Sequence, residues 1–431
     1  MYEIFTLNNG LRVVAENIPY VNSVSVGIFV LNGSRNECPE LNGISHFIEH
    51  MLFKGTNSRS SKEIVEAIEN VGGQLNAYTS KESTCYYVKT LNTHMDLCFD
   101  ILSDMLFNSK FSEEDIEKEK AVVIEEINMG EDTPEDLLAD VYAETCFGKD
   151  SLGLPILGTK DIVSSFTHEK LIKYKEERYT PHNSVLSICG NFDVKVLKEL
   201  IEKYFSCWES KSEIITQYST PKILCDFHSK EKNIEQVHIN LGLKGLPIGH
   251  KYGYSLVLLN TILGGGASSI LFQKLREEQG LCYNVASYPL SFKNIGILNL
   301  YVGVAPSNVE KSLDIIKREI DKFKKFNISE EQLQINKEKI KANYMLSSES
   351  TSSRMFNNGK SMLFLGKVNT PEHIINKVDS INRDGLAYVL ENCFKDGVIN
   401  GAFVGRNVDL DKCILQLGDD TFAYNQKYIE I

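Results

Sequence analysis

One order of strands and helices runs through this chain twice, at an offset of roughly 200 residues. The apolar, strand-like stretch Ser23–Leu31 leads into a helical segment around His46, as Gln236–Leu243 leads into Tyr252–Leu263. Two more strand-like segments, Gln74–Ser80 and Ser83–Leu91, run into a helix beginning near Asn92. Their counterparts Cys282–Leu290 and Gly296–Val304 run into Ser307–Phe323. Val185–Gly190 followed by Val194–Phe205 is echoed by Val398–Gly405 followed by Val408–Leu417. Residue identity between the two runs is weak, so what repeats is the pattern of burial. The fold class this predicts is α+β, in two similar halves, each a mostly antiparallel sheet with helices packed on it. Between the halves Glu209–Asp226 is polar, carries Pro221 and has no helical period. The expected domains are therefore 1–210 and 227–431, joined by a linker over 211–226.

Composition narrows the function classes. A length of 431 residues calls for two or three domains, and a net charge of −12 speaks against nucleic acid as the main partner, because phosphate binding wants a basic face. No apolar run approaches the ~20 residues a membrane-spanning helix needs, and no basic segment followed by an apolar one opens the chain. The ten cysteines are scattered without a Cys-x-x-Cys pair, and several stand inside apolar runs. Reduced, buried thiols and a cytoplasmic location are the expectation.

The chemistry concentrates in Gly43-Ile-Ser-His-Phe-Ile-Glu-His-Met-Leu-Phe-Lys-Gly-Thr56. Leu41–Phe53 reads as one short helix stopped by Gly55. At about 100° per residue His46 and His50 lie only ~40° apart, with Glu49 on the same face. Two imidazoles at that spacing can reach one cation, and the carboxylate beside them can serve a water activated there. This His-x-x-Glu-His order is the inverzincin signature. The equivalent place in the second half carries no such group, so the first half alone is expected to hold metal.

A zinc site built on two histidines needs a third protein ligand, and the acidic helix after Ser112 offers Glu117, Glu119, Glu125, Glu126 and Glu131. With Ile116 at zero, Val123 and Ile127 fall near about 340° and 20° and mark the buried stripe. Glu119 and Glu126 fall at about 300° and 280°, along one edge of that stripe, while Glu125 falls at about 180° and points to water. Helix phase keeps Glu119 and Glu126 and rejects Glu125.

These segments together resemble the M16 peptidases, over nearly the whole chain. In that family the third ligand follows the second histidine by about seventy-six residues, which is Glu126 here. The resemblance implies one zinc ion per chain bound by His46, His50 and Glu126, with Glu49 as general base and Glu119 as an accessory acidic residue. Gly72-Gly73-Gln-Leu-Asn76-Ala77-Tyr-Thr-Ser resembles the family's substrate-binding edge strand, to which a peptide adds as a further strand, so Asn76 and Ala77 are expected to bind substrate. Gly264–Tyr283 resembles the second-half segment that sends an Arg and a Tyr to the active site, here Arg276 and Tyr283. Ala267 and Ile270 depart from the family wording there, which bears on substrate preference only.

What the resemblance implies is a zinc endopeptidase that closes its halves as a clamshell around peptides or unfolded segments, works as a homodimer, and needs neither nucleic acid nor membrane. In it zinc polarises the scissile carbonyl and acidifies its bound water, Glu49 takes the proton, and Arg276 and Tyr283 donate to the substrate. Two rivals follow from the same residues. One is a non-catalytic partner subunit of the same family, which ordinarily lacks parts of the His-x-x-Glu-His motif that are complete here. The other is a di-iron carboxylate protein, which needs Glu-x-x-His on two helices; here the order is reversed and occurs once.

Overall fold

The computed structural model describes residues 2–212 and 216–418. Its strands form two sheets. The first is six-stranded in the order β1-β2-β6-β3-β5-β4, from β1 (Tyr2–Thr6), β2 (Arg12–Asn17), β3 (Ser23–Val30), β4 (Gln74–Thr79), β5 (Thr84–Leu91) and β6 (Ser184–Gly190). The second is five-stranded in the order β7-β11-β8-β10-β9, from β7 (Phe227–Glu231), β8 (Val237–Lys244), β9 (Cys282–Ser291), β10 (Gly296–Val304) and β11 (Asn400–Gly405). In each sheet one pair is parallel, β2 with β6 and β7 with β11, and the remaining pairs are antiparallel. The order β7-β11-β8-β10-β9 repeats β2-β6-β3-β5-β4 strand for strand, with β1 the addition of the first sheet. The repeat read from the sequence is thus a repeat of topology.

The chain divides into two compact units. The first runs to Asn128 and includes Leu154–Gln217 and Tyr344–Pro371; the second holds Met129–Gly153, Tyr218–Asn343 and the chain from Glu372 onward. These differ from the expected halves in two segments. Helix Thr351–Leu365 belongs to the first unit because it lies on β3 and β6. Gly27 and Gly359 make that approach possible, since a Cβ on Gly27 would sit 2.5 Å from the Met355 sulfur and one on Gly359 2.2 Å from the Phe29 ring. Arg354 of this helix pairs with the buried Glu16 at 2.5 Å. Conversely, α5 (Pro134–Phe147) belongs to the second unit, where Leu138, Tyr142 and Cys146 pack with Ala402 and Val404 of β11. Of the expected linker, residues 213–215 lie outside the described residues.

In the first unit β3 alternates cleanly. Val24, Val26, Ile28 and Val30 join the core shared with α1 (Ile44–Met51) and α3 (Met95–Asn108), while Phe29 faces helix Thr351–Leu365. A sheet covered on both faces needs this near-continuous apolar content. Between those helices lies α2 (Ser61–Glu69), and after α3 comes α4 (Glu113–Asp132). Helix α1 is shorter than the expected Leu41–Phe53. Gly43 takes a left-handed φ of +93°, which ends the preceding Pro39–Leu41 turn and lets the helix begin only at Ile44. No helix among the described residues is long and apolar enough to cross a membrane. All ten cysteines are free thiols.

Candidate metal centre

Helix α1 has two faces. Ile44, Phe47, Ile48 and Met51, spaced i, i+3, i+4 and i+7, are fully buried in the core. His46, Glu49 and His50 occupy the other side, and the two imidazole rings lie 4.5 Å apart centre to centre. Helix α4 brings its acidic edge to them. Ile116, Val123 and Ile127 are buried as the helix phase predicts, and Glu125 is exposed. Glu126 Oε2 stands 3.7 Å from His46 Nε2 and 3.5 Å from His50 Nε2. These three residues form the one group of metal-ligating side chains among the described residues, with all ligand atoms within 4.8 Å of one another.

That spacing can be tested against an ion. Bonds of about 2.05 Å in a tetrahedron set ligand atoms about 3.3 Å apart, close to the 3.7 and 3.5 Å that separate Glu126 from the two histidines, which are longer than an ordinary hydrogen bond. Nδ1 of His46 is buried without a hydrogen-bond partner. Burial first, then the charge of His50, push His46 down to about 3 against the pull of Glu119, so its ring is neutral and keeps a lone pair. His50 Nδ1 donates to Glu119 Oε1 at 2.7 Å, which leaves the lone pair of the neutral ring on Nε2. Nε2 of each ring and a carboxylate oxygen therefore converge, a set that binds a cation when both rings are neutral. The donor set fits zinc.

The surroundings hold the ligands in place. Glu119 is nearly inaccessible, and its second oxygen pairs with Lys54 Nζ at 2.5 Å. Burial would raise the Glu119 carboxyl, but the bonds from His50 and Lys54 bring it below its ordinary value. For His50 burial acts downward and is outweighed by the hydrogen bond and charge of Glu119 and by Glu126 and Glu49, so it rises. Glu49 is 9 % exposed and accepts a hydrogen bond from Thr79 Oγ1 of β4. Burial raises its carboxyl above the ordinary range, with Thr79 and His50 opposing and Glu126 adding. A buried carboxylate raised in this way suits proton transfer near neutral pH.

Thr79 and Lys54 are the two contacts with no role assigned from the sequence. Thr79 was within reach of pattern reasoning, since on a strand it shares a face with Ala77. Lys54 follows His50 by one helical turn.

Among the described residues β4 is the last strand of its sheet, and one of its edges has no strand partner. On that edge the Ala77 N–H is held by the Asn76 side chain, whose Oδ1 accepts it at 2.8 Å. Arg276 and Tyr283 belong to the second unit and are together: the Arg276 guanidinium lies 4.7 Å from the Tyr283 ring and 4.8 Å from Phe272, and donates to the Tyr283 carbonyl at 3.0 Å. The backbone takes a π-type turn over Gln273–Glu277, and the Tyr283 ring is 77 % exposed.

Comparison with known proteins adds to this geometry. A family model described as insulinase (peptidase family M16) matches residues 12–160, and one described as the peptidase M16 inactive domain matches 165–340. An uncharacterized zinc protease of Bacillus subtilis, YmxG, is 43 % identical over 90 % of this chain and 95 % of its own length. An uncharacterized zinc protease of Streptomyces coelicolor is 36 % identical over 89 % of this chain and 85 % of its own length. Among solved structures, a protease from Helicobacter pylori shares the fold with a TM-score of 0.85 at 23 % identity, covering 94 % of this chain and 99 % of that one.

Proposed function

We propose, since the chain belongs to peptidase family M16, that it is a zinc-dependent endopeptidase acting on peptides or unfolded segments. The observation that carries the reading is the convergence of His46 Nε2, His50 Nε2 and Glu126 Oε2 beside the buried Glu49. Zinc held by those three residues would supply Lewis-acid chemistry, polarising a carbonyl and lowering the pKa of a water toward about 7. Glu49 receives the proton of the attacking water and passes it to the leaving amine. Thr79 occupies Oε2 of Glu49, which leaves Oε1 for that proton. Glu119 fixes the His50 ring by holding its Nδ1–H, and Lys54 fixes Glu119.

The edge of β4 is the seat for substrate in this reading, with Asn76 giving up the Ala77 N–H to the peptide backbone. Family membership is what supports the assignment of Arg276 and Tyr283 to the substrate, and likewise the closed chamber. One zinc per chain, a homodimer and a cytoplasmic location complete the proposal; the unpaired cysteines support the last. The test is mass spectrometry of fragments from a mixed peptide library, run beside a Glu49→Gln control. Internal cleavage by the wild type with none above background in the control is expected. Equal cleavage by both removes Glu49 from the base role.

A further inference from the structure

The turn Gly33–Glu37 lies outside the metal group but grips both the helix that carries His46, Glu49 and His50 and the hairpin that carries Thr79. Glu37 is 5 % exposed, and both its carboxylate oxygens are spent on the start of α1. Oε2 accepts from the Gly43 N–H at 2.8 Å and from Asn42 Nδ2 at 3.0 Å, and Oε1 accepts from the Ser45 N–H at 2.8 Å. Those backbone donors are among the ones a helix cannot satisfy from within. A negative charge at this end also suits the helix dipole. The other side of the same helix start is closed by backbone. Asn42 Nδ2 also donates to the Pro155 carbonyl at 2.9 Å, and a Cβ on Gly43 would meet the Leu157 carbonyl at 2.5 Å. Ser45, Asn32 and Tyr174 close a buried ring of side-chain hydrogen bonds just inside the helix.

The same turn also grips the tip of the β4–β5 hairpin. Ser34 N–H donates to the Ser80 carbonyl at 3.2 Å and Arg35 N–H to the Lys81 carbonyl at 2.7 Å. The Arg35 guanidinium pairs with Glu82 at 2.5 Å, and both side chains are buried. Gly33 is required at this approach, because a Cβ there would stand 2.2 Å from the Ser80 carbonyl oxygen. Thr79, one residue before that tip, is the hydrogen-bond donor to Glu49.

We propose that Glu37 is a positioning residue for the metal centre, setting the phase of α1 at which His46, Glu49 and His50 are presented while its turn keeps that phase matched to the β4–β5 hairpin. The reasoning is one of scale. Helix α1 has eight residues, too few to hold its own register, so packing and caps must define it. A slip of one residue rotates its face by about 100° and shifts it about 1.5 Å. Metal ligands tolerate deviations of only about 0.2 Å. A carboxylate that takes two first-turn N–H groups at 2.8 Å removes that freedom at its source.

The inference rests on the metal reading above, and the test separates the two. Metal-free protein is titrated with cobalt(II) and its visible d–d absorption recorded; zinc affinity is measured by chelator competition, and the melting temperature alongside. Glu37→Gln keeps the size of the side chain but turns an N–H donor toward the helix N–H groups. Its zinc affinity should fall by about tenfold or more and its cobalt bands should change in position or intensity. Ile201→Ala, on helix Val194–Phe205 packed against α3, opens a core cavity and should lower the melting temperature without moving either metal readout. A Glu37→Gln protein with wild-type cobalt bands and zinc affinity overturns the proposal. Should that variant fail to fold, Glu37→Asp decides, since it keeps the charge but draws it back by one methylene. It should show the same spectral change, and wild-type bands in it overturn the proposal equally. A wild-type protein that takes up no cobalt, or a His50→Ala variant with unaltered bands, sinks the metal reading and this inference with it.

Discussion

Glu119→Gln tests how much of the metal affinity comes from outside the three ligands. In the wild type His50 Nδ1 donates at 2.7 Å to a carboxylate that is almost completely buried. A hydrogen bond to a charged acceptor is worth about 1.5–3 kcal/mol and a neutral one about 1 kcal/mol. Exchanging the carboxylate for an amide therefore costs about 0.5–2 kcal/mol of zinc binding, or about 2- to 30-fold in Kd. The sign of the pH dependence follows from the same contact. Glu119 is the leading cause among those that raise His50, against burial, so it also strengthens the proton that competes with metal. Removing its charge lowers the His50 pKa and weakens that competition. The gap between variant and wild type should then be widest near about pH 8 and narrow toward about pH 6, where the wild type has lost more affinity to protonation. Chelator competition on metal-free protein at several pH values measures this. Equal affinities at pH 8, or a gap that widens in acid, refutes the argument.

Three further outcomes are expected. Thr79→Val keeps the shape of the strand but removes the donor to Glu49, so kcat should fall about tenfold or more with zinc content unchanged, and Thr79→Ser should restore it; unchanged turnover in the valine variant removes Thr79 from the account. Glu126→Ala should empty the site while Glu125→Ala, at an exposed position, keeps both metal and activity; the reverse outcome contradicts the helix-phase argument. The purified chain should scatter light as a dimer and cleave peptide without another gene product, so a fully active monomer rules out the dimer.

Local geometry made the convergence of His46 and His50 with one acidic edge of α4 readable in advance. His46 and His50 are one turn apart, and the phase of α4 is set by three apolar residues, so Glu125 could be separated from Glu119 and Glu126 by rotation alone. The choice between Glu119 and Glu126 came from family likeness, because both lie on one edge of the stripe and differ only in which histidine nitrogen they face. That the two halves share one plan was readable because alternation and order recur, whereas the order of strands within each sheet was not. What escaped was non-local. Helices Pro134–Phe147 and Thr351–Leu365 each have a buried face, but their sequences do not say which sheet will bury it; for Thr351–Leu365 that depends on Gly27 and Gly359 allowing a close approach. The Thr79–Glu49 and Glu37–Ser45 contacts join residues whose spacing carries no period, so only the folded chain displays them.

Anomalous scattering from crystals of the protein purified with its metal, recorded on either side of the zinc absorption edge, bears most directly on the central claim. A single zinc peak per chain is expected, with bonds of about 2.0–2.2 Å to His46 Nε2, His50 Nε2 and a Glu126 oxygen. The Glu119 carboxylate should lie beyond bonding distance, on the far side of the His50 ring. A peak bonded to Glu119 instead of Glu126, or one at another place in the chain with these three residues bare, contradicts the account.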